Sequence, residues 1–238
     1  MTMDSRKEPG TAVAKFDLGT VIEDARGYIS GTKRVFFAIG LAGVLAGLLL
    51  IFVFGMIGAG ELRYGPPGVR VDGAPIFSLR LVLLFLAMAV VMALIHAGVA
   101  ALGLHRALGA EVSFDVLFRY LDRAPRFVAL TLLGALFSAP ISFAAAVGGG
   151  IVSTFVTVVL SLATLFVIDR DAGVWDAIKG AWSIVVANAG PIVLFTLLSM
   201  ALAIVGGLTL GIALLWIVPF LSIASGLMYV RSVGANLA

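Results

Sequence analysis

The sequence predicts an all-α polytopic membrane bundle with six transmembrane helices, amphipathic cytoplasmic helices and three helix-hairpin repeats. Of 238 residues, 61% are hydrophobic and only 12% are charged, whereas a soluble domain carries about 25% charged residues. Mean hydropathy is +1.15. Six apolar stretches contain no Asp, Glu, Lys or Arg, and most approach the roughly 20 residues that span a bilayer as a helix. These runs are continuous, without the alternation of transmembrane β-strands. A soluble enzyme is therefore excluded. The absence of cysteine excludes a disulfide scaffold or a thiolate metal site.

In chain order, residues 1–18 read as a disordered cytoplasmic N-terminus and 19–238 as one membrane domain. Thr20 and Glu23 have the spacing of a capping box ahead of a short helix containing Ile22, Ala25 and Ile29. The spans are expected at 35–60, 81–104, 127–147, 151–168, 191–205 and 208–230. The fourth and fifth are short enough to draw on the glycines beside them. A polar loop from Glu61 to Arg80, bearing Pro66, Pro67 and Pro75, joins the first two spans and reads as extended or turn-rich. Gly148 to Gly150 are expected to turn between spans three and four, and Gly206 with Gly207 between five and six. The first span is too extended, and its polar lead too long, for a cleaved signal peptide.

The net charge of +3 and the pI near 9.5 report orientation and not nucleic acid, because the basic residues are dispersed among loops. Thirteen of the 16 Lys and Arg fall on one set of connections, and three (Arg63, Arg70 and Arg80) fall on the other. The positive-inside bias then places both termini in the cytoplasm.

Each hairpin follows an amphipathic stretch. Phe114, Leu117, Phe118 and Leu121 recur at i, i+3, i+4 and i+7, opposite Glu111, Asp115, Arg119 and Asp122. Before span five, Trp175, Ile178, Trp182 and Val185 share a face, with Asp176, Lys179 and Ser183 opposite. The two stretches align at an offset of 61 residues, and a weaker third copy precedes span one. Helices of this kind either seal the bundle or lie at the headgroup level, where Trp175 and Trp182 are suited to the boundary and Phe114 and Phe118 would be the interfacial aromatics of the other copy.

The run from Asp169 to Gly190, with Trp175, Asp176, Ala177, Ser183 and Asn188, followed by Pro219 and Tyr229 in the last span, resembles a group of bacterial six-helix membrane proteins. That group includes the membrane domain attached to some glycerophosphoryl diester phosphodiesterases. The stretch from His105 to Arg126 is similar in style. The resemblance implies a multi-pass protein of the bacterial inner membrane without an established activity. The hydrolase domain has no counterpart in this sequence, so its metal-dependent chemistry is not implied.

Candidate polar residues are few. His96 is the one strongly titratable residue inside a span, a position that invites a proton-relay hypothesis. A neutral imidazole bonded to a neighbouring helix is the favoured reading. Ser153, Thr157 and Ser161 repeat every four residues along one face of span four, with Thr164 following. Such a stripe could line a polar path, but it also suits close helix packing, as do Gly43 and Gly47 and the series Ala89, Ala93, Ala97 and Ala101. Pro140 and Pro219 could open a mid-membrane cavity. Asp169, Asp171 and Asp176 read as a turn and helix N-terminus and not as a cation site. No catalytic residue, cofactor or metal is expected. The partners are the lipid bilayer and a membrane protein or second copy. The leading expectation is a non-catalytic organiser or regulator of membrane partners or lipids. The alternative is a small transporter for an uncharged or lipidic substrate.

Overall fold

The computed structural model of the chain describes residues 13–64, 79–144, 148–209 and 211–234. Among these residues the fold is all-α. The helices are α1 (Leu18–Tyr28), α2 (Lys33–Tyr64), α3 (Leu79–Ala107), α4 (Asp115–Phe118), α5 (Ala124–Ala144), α6 (Gly148–Arg170), α7 (Val174–Ala187), α8 (Ala189–Leu208) and α9 (Leu214–Val233), with a 3-10 turn at Leu121–Arg123 before α5. Four stretches, Val82–Ala107 of α3, Gly149–Arg170 of α6, Ala189–Leu208 of α8 and Leu214–Val233 of α9, are long and apolar enough to cross a membrane. The ends of the loop expected at 61–80 are helical, since α2 continues to Tyr64 and α3 begins at Leu79; residues 65–78, with the three prolines, lie outside the described residues.

The packed core occupies one end of the bundle. Residues 162–168 of α6 are buried on every side, enclosed by α5, α7, α3, α8 and α9. At the other end large apolar side chains such as Phe52, Phe85, Phe137 and Leu208 stand exposed. An aqueous surface would penalise such exposure, whereas hydrocarbon would not.

Small residues set the helix spacings. α3 crosses α9 where Gly103 meets Ser222, and a Cβ on Gly103 would lie 2.4 Å from the Ser222 carbonyl oxygen. Gly226 faces the backbone of Gly103 in turn. The Ser222 hydroxyl donates to the Val99 carbonyl at 2.5 Å. Gly43 abuts Ile95, Gly134 abuts Leu160 and Gly180 lies under the Phe166 ring. Ala93, Ala97 and Ala101 are buried along α3.

Several local expectations are corrected. Gly148 to Gly150 form the first turn of α6 and not a connection; residues 145–147 lie outside the described set. Gly206 and Gly207 belong to α8, which lengthens that span. The turn comes later, around Gly211 with φ +87°, a value that glycine adopts without a Cβ clash. The last helix accordingly starts at Leu214, not at 208. α9 runs through Pro219 without a break, and α5 runs through position 140. α1 is capped by Asp17, whose carboxylate accepts the Thr20 N–H at 2.9 Å, so Thr20 is the third helical residue and not the cap.

The stretch around Phe114 and Phe118 departs most. α4 is a single turn followed by the 3-10 turn, not a continuous amphipathic helix. Val116 is the residue that turns inward, at 2% exposure, while Phe114 (49%) and Leu121 (47%) face out. The Phe118 side chain lies outside the described set.

Candidate functional site

Across a helix interface the structure brings together two of the five polar residues singled out from sequence. His96 of α3 and Ser161 of α6 meet across the helix interface, with 3.3 Å between the imidazole Nε2 and the serine Oγ. Each ring nitrogen of a neutral imidazole is either a donor or an acceptor, and a hydroxyl can serve either role. The pair therefore closes without requiring a charge. Thr157 turns its hydroxyl back to the Ser153 carbonyl at 2.9 Å, as Thr154 does to Gly150 and Thr164 to Leu160. The threonines of α6 thus spend their donors on their own helix, the local bonding common to such residues in apolar surroundings. Ser153 is half-buried one turn before Thr157.

Asn188 lies elsewhere, at the elbow between α7 and α8. It is 3% exposed. Its Oδ1 accepts the Phe16 N–H at 3.0 Å, and its Nδ2 donates to the carbonyls of Ala14 at 3.2 Å and Ile184 at 3.3 Å. Residues 13–17, within the stretch read from sequence as a disordered tail, are held there, with Phe16 buried.

α7 presents three faces. Ala177, Ala181, Ile184 and Val185 are buried. Trp175 (65% exposed), Trp182 (53%) and Val186 form an outward apolar edge. Asp176, Lys179 and Ser183 are exposed on the next sector. The sequence pattern groups Val185 with the tryptophans, but the small residues Ala177 and Ala181 let α7 approach α6, and that approach carries Val185 inward while the indoles remain outside.

A charged cluster beside the packed end is visible in the sequence only as loop charge. α6 ends by exposing carbonyls that lack helical partners. Arg123 donates from Nη1 to two of them, Val167 and Ile168, both at 2.7 Å. Arg126 reaches the Asp171 carboxylate at 2.5 Å and its carbonyl at 2.8 Å, which holds Asp171 in the left-handed region at φ +53°. The Tyr229 hydroxyl donates to Asp169 at 2.7 Å, and its ring packs edge-on against Phe166 with centroids 4.9 Å apart. Arg123 also lies over the Tyr120 ring at 5.4 Å. Burial pushes the Tyr120 phenol above its ordinary value, against the pull of the Arg119 and Arg123 charges.

These contacts account for two of the three aspartates of this segment. Asp169 and Asp171 are engaged by Tyr229, Arg123 and Arg126, and Asp176 lies in the first turn of α7, where a carboxylate favours the positive end of the helix dipole. Among the described residues no three metal-capable side chains group together. No family model, no curated protein and no solved structure matches the chain.

Proposed function

We propose that the chain is a non-catalytic, six-span protein of the bacterial inner membrane that organises lipids or a membrane partner at its cytoplasmic face. α2 and α5 supply the two spans beyond the four long apolar helices, and α1, the α4 turn and α7 precede the three hairpins. The thirteen-to-three distribution of Lys and Arg supports cytoplasmic termini. The sequence resemblance to the membrane domain of certain phosphodiesterases is the basis for proposing the bacterial inner membrane.

The observation that carries this reading is the outward edge of α7. Its 14 residues extend about 21 Å, short of the roughly 30 Å hydrocarbon core, so the helix lies along the membrane instead of through it. An exposed line of two indoles and a valine beside Lys179 and Ser183 suits the headgroup boundary, where amphipathic rings keep one edge wet. One feature favours a packed organiser over a transporter: His96 is already engaged by Ser161.

Gentle purification followed by mass spectrometry of the intact complex tests the proposal. Retained phospholipid or a retained membrane protein is expected, with the bound fraction reduced in Trp175→Ala/Trp182→Ala. A bare chain that instead catalyses solute flux in vesicles would overturn it.

A further inference from the structure

The irregular segment Val13–Asp17 is bound as a ligand would be. Asn188 mimics a peptide group toward it: the side-chain carbonyl takes the Phe16 N–H, and the side-chain amide gives a proton to the Ala14 carbonyl. The Ala14 N–H in turn donates to the Ser232 carbonyl in the last turn of α9, at 3.0 Å. Phe16 is buried while Ala14, Lys15 and Asp17 are exposed, so the segment is held by its backbone bonds and by one inserted side chain. Beyond the segment, Asp17 caps α1, and α1 is fixed to α9 because Arg231 bonds both Thr20 and Asp24.

The two anchors belong to different parts of the molecule. Ser232 is on α9, which packs chiefly on α3, whereas Asn188 ends α7, which packs chiefly on α6. From this juxtaposition we infer that Val13–Asp17 is a latch that ties the α7–α8 elbow to the end of α9, so that its docking or release sets the mobility of the tryptophan-bearing helix. A partner or modification acting on the N-terminus would thereby reach α7 without contacting it. The inference rests on the geometry of the segment and holds whatever α7 binds.

Hydrogen exchange on the full chain in lipid nanodiscs tests the latch. The perturbing variants are Ala14→Pro, which removes the donor to Ser232, and Phe16→Ala, which removes the buried anchor; both leave Asn188 able to cap α7 through Ile184. Exchange across 174–190 is expected to accelerate about tenfold or more in each, while the α3–α9 crossing at 99–105 and 222–228 keeps its protection, because local openings are separable from global ones. If either variant loses protection at 13–17 and α7 remains as protected as in the parent, the latch is refuted. Equal acceleration at α7 and at the α3–α9 crossing refutes it too, since the segment would then be an ordinary part of the global fold. Lys179→Ala, which alters an exposed side chain of α7 and no latch contact, is expected to leave α7 exchange within about twofold of the parent.

Discussion

Substituting Gly103 by Ala places a methyl group where α9 already stands. The added Cβ would lie 2.2 Å from the Ser222 hydroxyl and 2.4 Å from its carbonyl oxygen. The hydroxyl can rotate, but the carbonyl is backbone. Ordinary contact begins near 3.4 Å, so the helices must separate by about 1 Å, and dispersion across the seam falls steeply over such a gap. Overpacking of this kind costs roughly 1 to 3 kcal/mol. The same separation lengthens the Ser222 to Val99 hydrogen bond, and membrane hydrogen bonds between helices average about 0.6 kcal/mol. The expected loss is therefore about 1.5 to 3.5 kcal/mol. Gly40→Ala is the control, because nothing lies within 4 Å of the position its new methyl group would take; it should be neutral, or stabilising by up to about 1 kcal/mol through helix propensity. Reversible unfolding in mixed micelles measures both. A Gly103→Ala variant within about 0.5 kcal/mol of the parent, or no more costly than Gly40→Ala, would refute the close crossing of α3 and α9.

Three further outcomes are expected. His96→Gln should retain stability to within about 0.5 kcal/mol, whereas His96→Ala and Ser161→Ala should each lose roughly 0.5 to 2 kcal/mol and show coupling in a double-mutant cycle; additive losses would break the assigned pair, and a folded His96→Gln protein without the cellular phenotype of the parent would favour the transporter reading. Arg123→Ala should lower the melting temperature in detergent far more than Arg119→Ala, since the first leaves two helix-end carbonyls without their donor at about 1 to 3 kcal/mol and the second alters an exposed side chain. Trp182→Asp should reduce quenching of tryptophan emission by brominated lipid while the fold survives, but Ala181→Asp should unfold the α6–α7 contact; equal effects from Trp182→Asp and Ser183→Asp would show that the outward edge is misassigned.

Hydrophobicity makes the helical class legible because a run such as Leu81–Leu104 has no competing explanation. Boundaries are harder to read. Gly206 and Gly207 look like a turn in one dimension, yet Gly206 is where α8 meets Leu214 and Ile217 of α9, so the glycines serve packing and the chain turns at Gly211. The Phe114 pattern fails for a related reason: an i, i+3, i+4, i+7 spacing indicates which residues would share a face if the helix continued, and the chain there breaks after one turn. On α7 the apolar side chains mark the helix but not its inward face, because Ala177 and Ala181 are small and carry little weight in a hydrophobic pattern. The His96–Ser161 pair depends on the angular position of α3 relative to α6, and the Asn188 clamp joins residues 172 and 174 positions apart; neither follows from local spacing.

The central claim, that α7 lies along the cytoplasmic surface between two spans, is tested most directly by topology reporters fused after Ala172 and after Ala187, with fusions at Ala110 and Ala238 as cytoplasmic references and one at Pro67 as the external reference. Both α7 fusions are predicted to report the cytoplasm, as Ala110 and Ala238 do, with Pro67 opposite. Opposite signals at Ala172 and Ala187 would mean that α7 crosses the membrane, and would contradict the account.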